Sequence, residues 1–444
     1  MKKSQICMLV FGLLLLLNSE FAHAQTKWSS FQNGGQLVAD QPRLPLTWEP
    51  ETVAWKTPLA GYGQSSPVVF GDLAYVCSVT GPNKDTLNVQ AFSTETGDSQ
   101  WIFEHPNSSP EKNNVMTSRA APTPAVDENG VFVFFESGNI CALDHQGNVR
   151  WKRDLKQEFG DFKVRHGLAA SLEQNRSNIF LWAERSESPF VMAIDKASGE
   201  TVWKKVGLGK TSWSSPRLVP VGNEHHLVLS ATELIVGIDP KNGERLWQFE
   251  NVSGNTSSTP IPIEDGKFLL GSNGRGGAKA VPSCGVIQIE LVDDKFSASW
   301  LWTAPKASCS FGSPLAFNGR GYFVDRTGIV HCHDLKTGDK IFIGRLPSGS
   351  IWATPLASEE GLYFFGKNGT TSVIETGANF KTIAKNDLWM PNQTKKEDQT
   401  EGEEPDVGTT SVLYAAASAN SMLLLRRGDI LYCVKRQSPK LPTQ

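Results

Sequence analysis

Residues that could do chemistry are sparse in this chain, and most fail on spacing. His331, Cys332 and His333 put three metal-binding side chains in a row. In a strand, successive side chains point to opposite faces, so Cys332 leaves the face that the two histidines share, and a metal would need further ligands from elsewhere. His225 and His226 follow a turn at the start of a strand-like run, where exposure to solvent is expected. The glycine-rich run Asn273 to Lys279 lacks the spacing of a phosphate loop, no helix pattern follows it, and it reads as a long hairpin. No serine, histidine and aspartate assemble into a nucleophilic triad without invented proximity. No catalytic residue and no metal ligand is assigned.

The cysteines divide by context. Cys141, Cys332 and Cys433 sit inside strand-like runs and read as small buried hydrophobes. Cys284 and Cys309 flank one irregular region and form the best pair for a disulfide. Such a bond needs an oxidising compartment, and the first 24 residues point to one. Lys2 and Lys3, the apolar run Val10 to Leu17 and the Ala22-His23-Ala24 cleavage pattern read as an export signal, too short in its apolar part to span a bilayer. Gln25 follows the cut, so a lipid-anchored N-terminus is not expected. A net charge of −3 gives no reason to expect nucleic acid as a partner.

What positions these residues is a repeat. The phrase D-x-x-[TSN]-G-x-x-x-W recurs with variations, as in "IDKASGETVW", "IDPKNGERLW" and "HDLKTGDKIF". A Ser/Thr-Pro pair opens each unit, at Ser66, Thr123, Ser215, Thr259, Ser313 and Thr354, and degenerates to Ala169-Ala170 and Ser411-Val412 in two others. Between opening and phrase lie short alternating runs bounded by turn residues, the pattern of antiparallel strands. The glycine supplies the positive φ of a tight hairpin and the aspartate caps it. The closing aromatic then anchors a fourth strand. Anchors fall at Trp55, Trp101, Trp151, Trp203, Trp247, Trp302, Phe342 and Ile383, at spacings of about 40 to 55 residues, the period of a four-stranded propeller blade. Trp55 has no strands before it, and Ser411 to Arg436 offers three strands with no fourth. The expected fold is therefore all-β: an eight-bladed propeller over residues 52–436, its last blade completed by Thr52–Leu59 so that the ring closes without a free sheet edge. A lead-in over residues 25–51, an acidic, disordered excursion over 392–408 and a tail over 437–444 complete the chain.

The repeated phrase in eight such units resembles the pyrroloquinoline-quinone-like (PQQ-like) repeat propellers, which include quinoprotein alcohol dehydrogenases and BamB-like outer-membrane assembly scaffolds. The first strands of such a ring line its central channel. The residues two before each opening Ser/Thr then ring one mouth: Gln64, Ala121, Trp213, Ser257, Phe311, Trp352 and Thr409, with His166 in the degenerate third unit and Arg119 and Arg165 nearby. Gln64, Arg119, Arg165, His166, Trp213, Phe311 and Trp352 are the candidate ligand-binding residues, since aromatic faces with a few polar groups in a concavity suit a small molecule. The resemblance implies that a dehydrogenase of this family would hold its quinone between a tryptophan and a disulfide of adjacent cysteines, beside a Ca²⁺ ion on carboxylate and amide oxygens. This chain has no adjacent cysteines, and its mouth column has no Asp, Glu or Asn. PQQ with Ca²⁺ is accordingly disfavoured and no cofactor is expected. The expectation is an exported, monomeric, non-catalytic scaffold with a protein or peptide partner in the cell envelope. A quinoprotein dehydrogenase and a carbohydrate- or small-ligand-binding propeller stand as the alternatives.

Overall fold

The computed structural model describes residues 27–38, 43–112, 117–162, 164–185, 187–273, 283–389 and 411–436. The residues read as an export signal, the excursion over 392–408, the tail, Thr409 and most of the run from Asn273 to Lys279 lie outside them.

Eight antiparallel sheets follow one another around a ring. Within each blade the middle strands face a neighbouring blade on both sides, so they are apolar nearly without break: Gly130–Phe134 (GVFVF) and Gly361–Phe365 (GLYFF) are buried along their whole length. Outer strands lie at the rim and alternate instead, as Ser99–Pro106 does. Trp55–Pro58 pairs antiparallel with Ile430–Lys435 and completes the eighth blade, as the sequence implied. The only α-helix among the described residues is the five-residue turn Leu155–Phe159, capped by Asp154.

The repeated phrase holds neighbouring blades together. In its hairpin the aspartate accepts backbone N–H groups, as Asp195 does from Ala197 and Ser198, and these bonds hold its carboxyl below the usual carboxylate range. The following Gly199 has a φ of +77°, and a Cβ there would lie 2.6 Å from the Trp151 ring of the preceding blade. The indole packs on that glycine, and its N–H donates to the carbonyl of Lys196 in the same turn at 2.9 Å. The same bond runs from Trp55 to Thr94, Trp101 to His145, Trp203 to Pro240 and Trp302 to Leu335. Inside their own blades several anchors face a small residue: Trp203 pairs with Ala193, and Trp247 with Gly237, where a Cβ would meet the indole at 2.1 Å.

Two expectations change. In the seventh blade the anchor register holds Ala384, opposite Val373; Ile383 is the extra residue of the bulge that precedes every such position on the complete fourth strands. His226 is fully buried rather than exposed. The fifth blade has no copy of the phrase beside Trp247, so that indole turns inward and donates to His226 Nδ1 at 3.0 Å. Burial holds the His226 imidazole below its ordinary pKa, which keeps Nδ1 able to accept.

Because Trp203 is buried and bonded across blades, Trp203→Ala should cost about 3–5 kcal/mol in urea unfolding. Trp203→Phe, which keeps the ring but loses the donor, should cost about 1–2 kcal/mol. Gly199→Ala should cost about 2 kcal/mol, from its left-handed backbone and the overlap with Trp151.

Candidate functional site

The Ser/Thr that opens each unit forms a girdle around the axis. Its hydroxyl accepts the backbone N–H of the opening residue in the preceding blade: Ser66 to Thr123 at 2.9 Å, Thr123 to Ser171 at 3.0 Å, Ser171 to Ser215 at 2.9 Å and Ser215 to Thr259 at 3.0 Å. Thr259 continues to Ser313 at 2.9 Å, and Ser313 to Thr354 at 3.1 Å. These N–H groups point along the ring where no strand can pair them, so a hydroxyl at this place satisfies a donor that would otherwise be buried and orphaned. In the third blade the girdle hydroxyl is Ser171. The opening there is Ser171-Leu172, two residues beyond the Ala169-Ala170 pair that the sequence suggested.

The N-terminal segment closes this girdle from one side. Lys27–Trp28 adds a fifth, innermost strand to the first blade, and Phe31–Gly35 then turns across the axis. Gln32 donates from Nε2 to Ser313 Oγ and Thr354 Oγ1, both at 2.8 Å, and its Oε1 accepts from Arg217 Nη2 at 3.1 Å. Arg217 is itself buried and paired with buried Glu173 at 3.1 Å. Desolvation raises the Glu173 carboxyl pKa and lowers that of the guanidinium, and each partner opposes the other's shift. A concavity of about 860 Å³ lies on the outer side of the turn, lined by Ser30, Asn33 and Gly34 together with Pro220, Pro262 and Ile263.

On the other side Phe31 forms the floor of a dead-end funnel of about 790 Å³. Girdle hydroxyls of Ser66, Thr123, Ser171 and Ser215 line it, with Gln64, Ala121, His166, Trp213, Ser257 and Phe311. His166 packs on Trp213, with ring centroids 5.8 Å apart, but it arrives from the preceding loop; the residue equivalent to Gln64 in that blade is Ala169. The Trp213 indole N–H is buried with no hydrogen-bond partner among the described residues. Trp352 does not line the funnel. It packs behind Phe311, centroids 4.9 Å apart, beneath the ammonium of Lys367. Arg119 is buried with its guanidinium over the Tyr62 ring at 3.7 Å, and its backbone N–H donates to Gln64 Oε1. Arg165 faces two smaller cavities beside the funnel. Tyr414, which bonds Tyr62 through their hydroxyls at 2.8 Å, completes the wall and has no signal in the repeat.

The donor set does not fit a quinone with its Ca²⁺. Asp325 is the one carboxylate of the lining, and its Oδ1 already accepts Thr327 N–H, the Thr327 hydroxyl and Ile329 N–H in its own turn. Elsewhere, His331 and His333 share a face with parallel rings 6.4 Å apart, and His333 Nδ1 is bonded to the Gly338 carbonyl. Among the described residues no three His, Cys, Asp or Glu stand together as metal ligands. Cys284 and Cys309 are buried neighbouring free thiols in this structure, rather than the expected bridge. Cys284 Sγ also accepts the Ser272 N–H at 3.3 Å. Burial pushes the Cys309 thiol well above its ordinary value.

The plug gives a direct test of this architecture. Arg217→Met strands Glu173 as an unpaired buried charge and should cost about 3–5 kcal/mol in urea unfolding, whereas Arg217→Met with Glu173→Leu should recover most of that loss.

No curated protein matches the chain in sequence. Among solved structures, BamB from Moraxella catarrhalis superposes with a TM-score of 0.57 at 12% identity, covering 88% of this chain and 99% of that one. Quinohemoprotein alcohol dehydrogenase from Comamonas testosteroni gives 0.58 at 12% identity, covering 94% and 82%. Quinohemoprotein alcohol dehydrogenase ADHIIG from Pseudomonas putida HK5 gives 0.51 at 11%, covering 92% and 82%. At such identities the likeness is one of fold. The family model described as outer membrane protein assembly factor BamB matches residues 23–171 and 187–278, more than half of the sequence. The chain belongs to that family of PQQ-like repeat propellers.

Proposed function

We propose that this propeller is an exported, non-catalytic scaffold of the cell envelope that binds a protein partner in outer-membrane assembly or a related step. The observation that carries the reading is the hairpin of the fifth blade. Gly285–Val292 and Lys295–Thr303 run past the rim to a two-residue turn, Asp293-Asp294, with both residues at positive φ as such a turn requires. Phe296 and Trp300 fold back onto the Trp247 cluster of the fourth blade, and the Trp300 indole donates to the Asn251 carbonyl at 2.9 Å. That anchoring leaves Leu291 and Val292 at the tip 60% and 53% exposed. Adjacent large apolar residues on an anchored projection suit recognition of a partner by side-chain burial together with main-chain pairing. The family description and the export-signal pattern at Lys2 to Ala24 support the same reading. Among the described residues no helix is long and apolar enough to cross a membrane.

The funnel supports a second reading, a small polar ligand. The half-ring of girdle hydroxyls beside the faces of Trp213 and Phe311 suits a polyhydroxylated molecule such as a carbohydrate.

A Leu291→Asp, Val292→Asp variant should bind an unfolded outer-membrane β-barrel polypeptide at least tenfold more weakly than the parent, about 1.4 kcal/mol, in fluorescence anisotropy. Equal affinities would remove the hairpin from the scaffold reading. Titration with pyrroloquinoline quinone and Ca²⁺ should give no saturable quenching of tryptophan fluorescence. Saturable quenching that disappears in a Trp213→Ala, Trp352→Ala variant would instead support a dehydrogenase.

A further inference from the structure

The funnel wall formed by the first four blades carries hydrogen-bond donors without acceptors. The hydroxyls of Thr123, Ser171 and Ser215 each accept a backbone N–H, yet none of them donates its own proton to a protein acceptor among the described residues. The Ser66 hydroxyl beside them has no hydrogen-bond partner among those residues. Gln64 engages its Oε1 with the Arg119 N–H at 3.0 Å, and its Nε2 donates to no protein group among them. A hydroxyl that has accepted one hydrogen bond still carries a proton to place, and an amide nitrogen carries two. Such donors along one side of a concavity call for a ligand whose surface is rich in oxygen.

Charge points to an anion. Arg326 is the one Lys or Arg of the lining; it is exposed, and among the described residues its guanidinium forms no hydrogen bond or ion pair. The neighbouring Asp325 is held in its own hairpin, where Oδ1 accepts three donors. Directly behind the Gln64–Ser66 wall lies the fully buried Arg426. It donates to the Ser65 carbonyl at 3.0 Å, the Ser65 hydroxyl at 2.6 Å and the Cys77 carbonyl at 2.6 Å, and to no carboxylate among the described residues. In a low-dielectric wall a guanidinium bonded only to neutral acceptors projects a positive potential into the adjoining space.

These features together restrict what fits. A neutral sugar would meet the hydroxyls and the aromatic faces but leave Arg326 unmatched. An apolar carboxylate would meet Arg326 but leave the row of O–H donors without acceptors. A polyphosphate brings more negative charge than one exposed guanidinium answers. We infer that the funnel binds an acidic saccharide, a sugar ring bearing one carboxylate, with that carboxylate on Arg326, ring oxygens accepting from the girdle hydroxyls, and a ring face against Trp213. This inference rests on the reading of the funnel as a saccharide site and narrows it to one class.

Isothermal titration of the purified protein with D-glucuronate and D-galacturonate, against D-glucose and D-galactose as their neutral counterparts, tests it. At least one acid should bind saturably, at least tenfold tighter than its neutral counterpart. Arg326→Ala removes an exposed side chain that holds nothing else in place, and it should bring the acid down to the affinity of the neutral sugar. Arg326→Lys, which keeps the charge, should retain a preference for the acid, and Trp213→Ala should weaken binding of the acid. Equal affinity for acid and neutral sugar, or a preference for the acid that survives Arg326→Ala, would overturn the inference and leave the saccharide reading standing. Acid binding unchanged by Trp213→Ala would remove the ligand from the funnel and overturn it as well. Absence of saturable heat with all four sugars up to about 20 mM would overturn both the inference and the reading beneath it.

Discussion

The ring depends on one contact, an indole laid on a glycine turn of the next blade. A propeller blade cannot bury its faces alone, and stacking blades by hydrophobic contact fixes neither their spacing nor their rotation. The indole does both. Its flat face accepts only a turn without a Cβ, and its single N–H donor must meet the carbonyl in that turn, as Trp151 meets Lys196 beside Gly199. Across five of the eight interfaces this contact combines burial of a large aromatic with a hydrogen bond that is directional and costly to leave unmade. Where it is missing, the structure improvises. Trp247, with no glycine turn beside it, bonds to buried His226, and the long hairpin of the fifth blade covers that gap with Phe296 and Trp300.

Once the blades are fixed at the rim, their inner ends converge and a second problem appears at the axis. First strands at the centre have backbone donors that no neighbouring strand can take, and the hydroxyl girdle absorbs them from blade to blade. The chain's own N-terminal segment occupies one side of that girdle, with Gln32 bridging two hydroxyls and buried Arg217. The funnel is therefore blind, and hydroxyls and aromatic faces make up much of its wall.

Much of this was legible because repetition makes a structural rule visible. The Asp, Gly and Trp of the phrase recur at near-regular intervals, so blade count and closure by the strand at Trp55–Pro58 could be read from spacing, while the fifth strand that Lys27–Trp28 adds to the first blade could not. Departures occurred where the repeat decays. Ile383 was misplaced by one residue because a bulge precedes the anchor and no tryptophan marks it. The third opening was misplaced because neither Ala169 nor Ala170 carries the hydroxyl that Ser171 provides. Features outside the repeat left no trace. Gln32, Glu173 and Arg217 meet only because the lead-in crosses the axis, and Lys84 and Glu136 are brought together by packing between blades at a sequence separation that no local pattern encodes. Of the mouth residues, Arg119 and Trp352 lie near it in sequence but pack behind it, a distinction set by side-chain direction.

Two buried charge clusters fasten the inner ends of the blades by the same physics. Around Arg217, Glu173 supplies the counter-charge and accepts from Nη1 while Gln32 and the Phe31 carbonyl accept from Nη2, so the cluster behaves as a rivet for the plug. Around Lys84 the buried ammonium donates to the Ser118 carbonyl, with Glu111 and Glu136 at 3.6 and 3.9 Å, and Glu136 in turn accepts the Ala120 N–H. Both clusters therefore fasten loops at the inner ends of the blades, and in both the removal of one charge would leave the other buried without its partner.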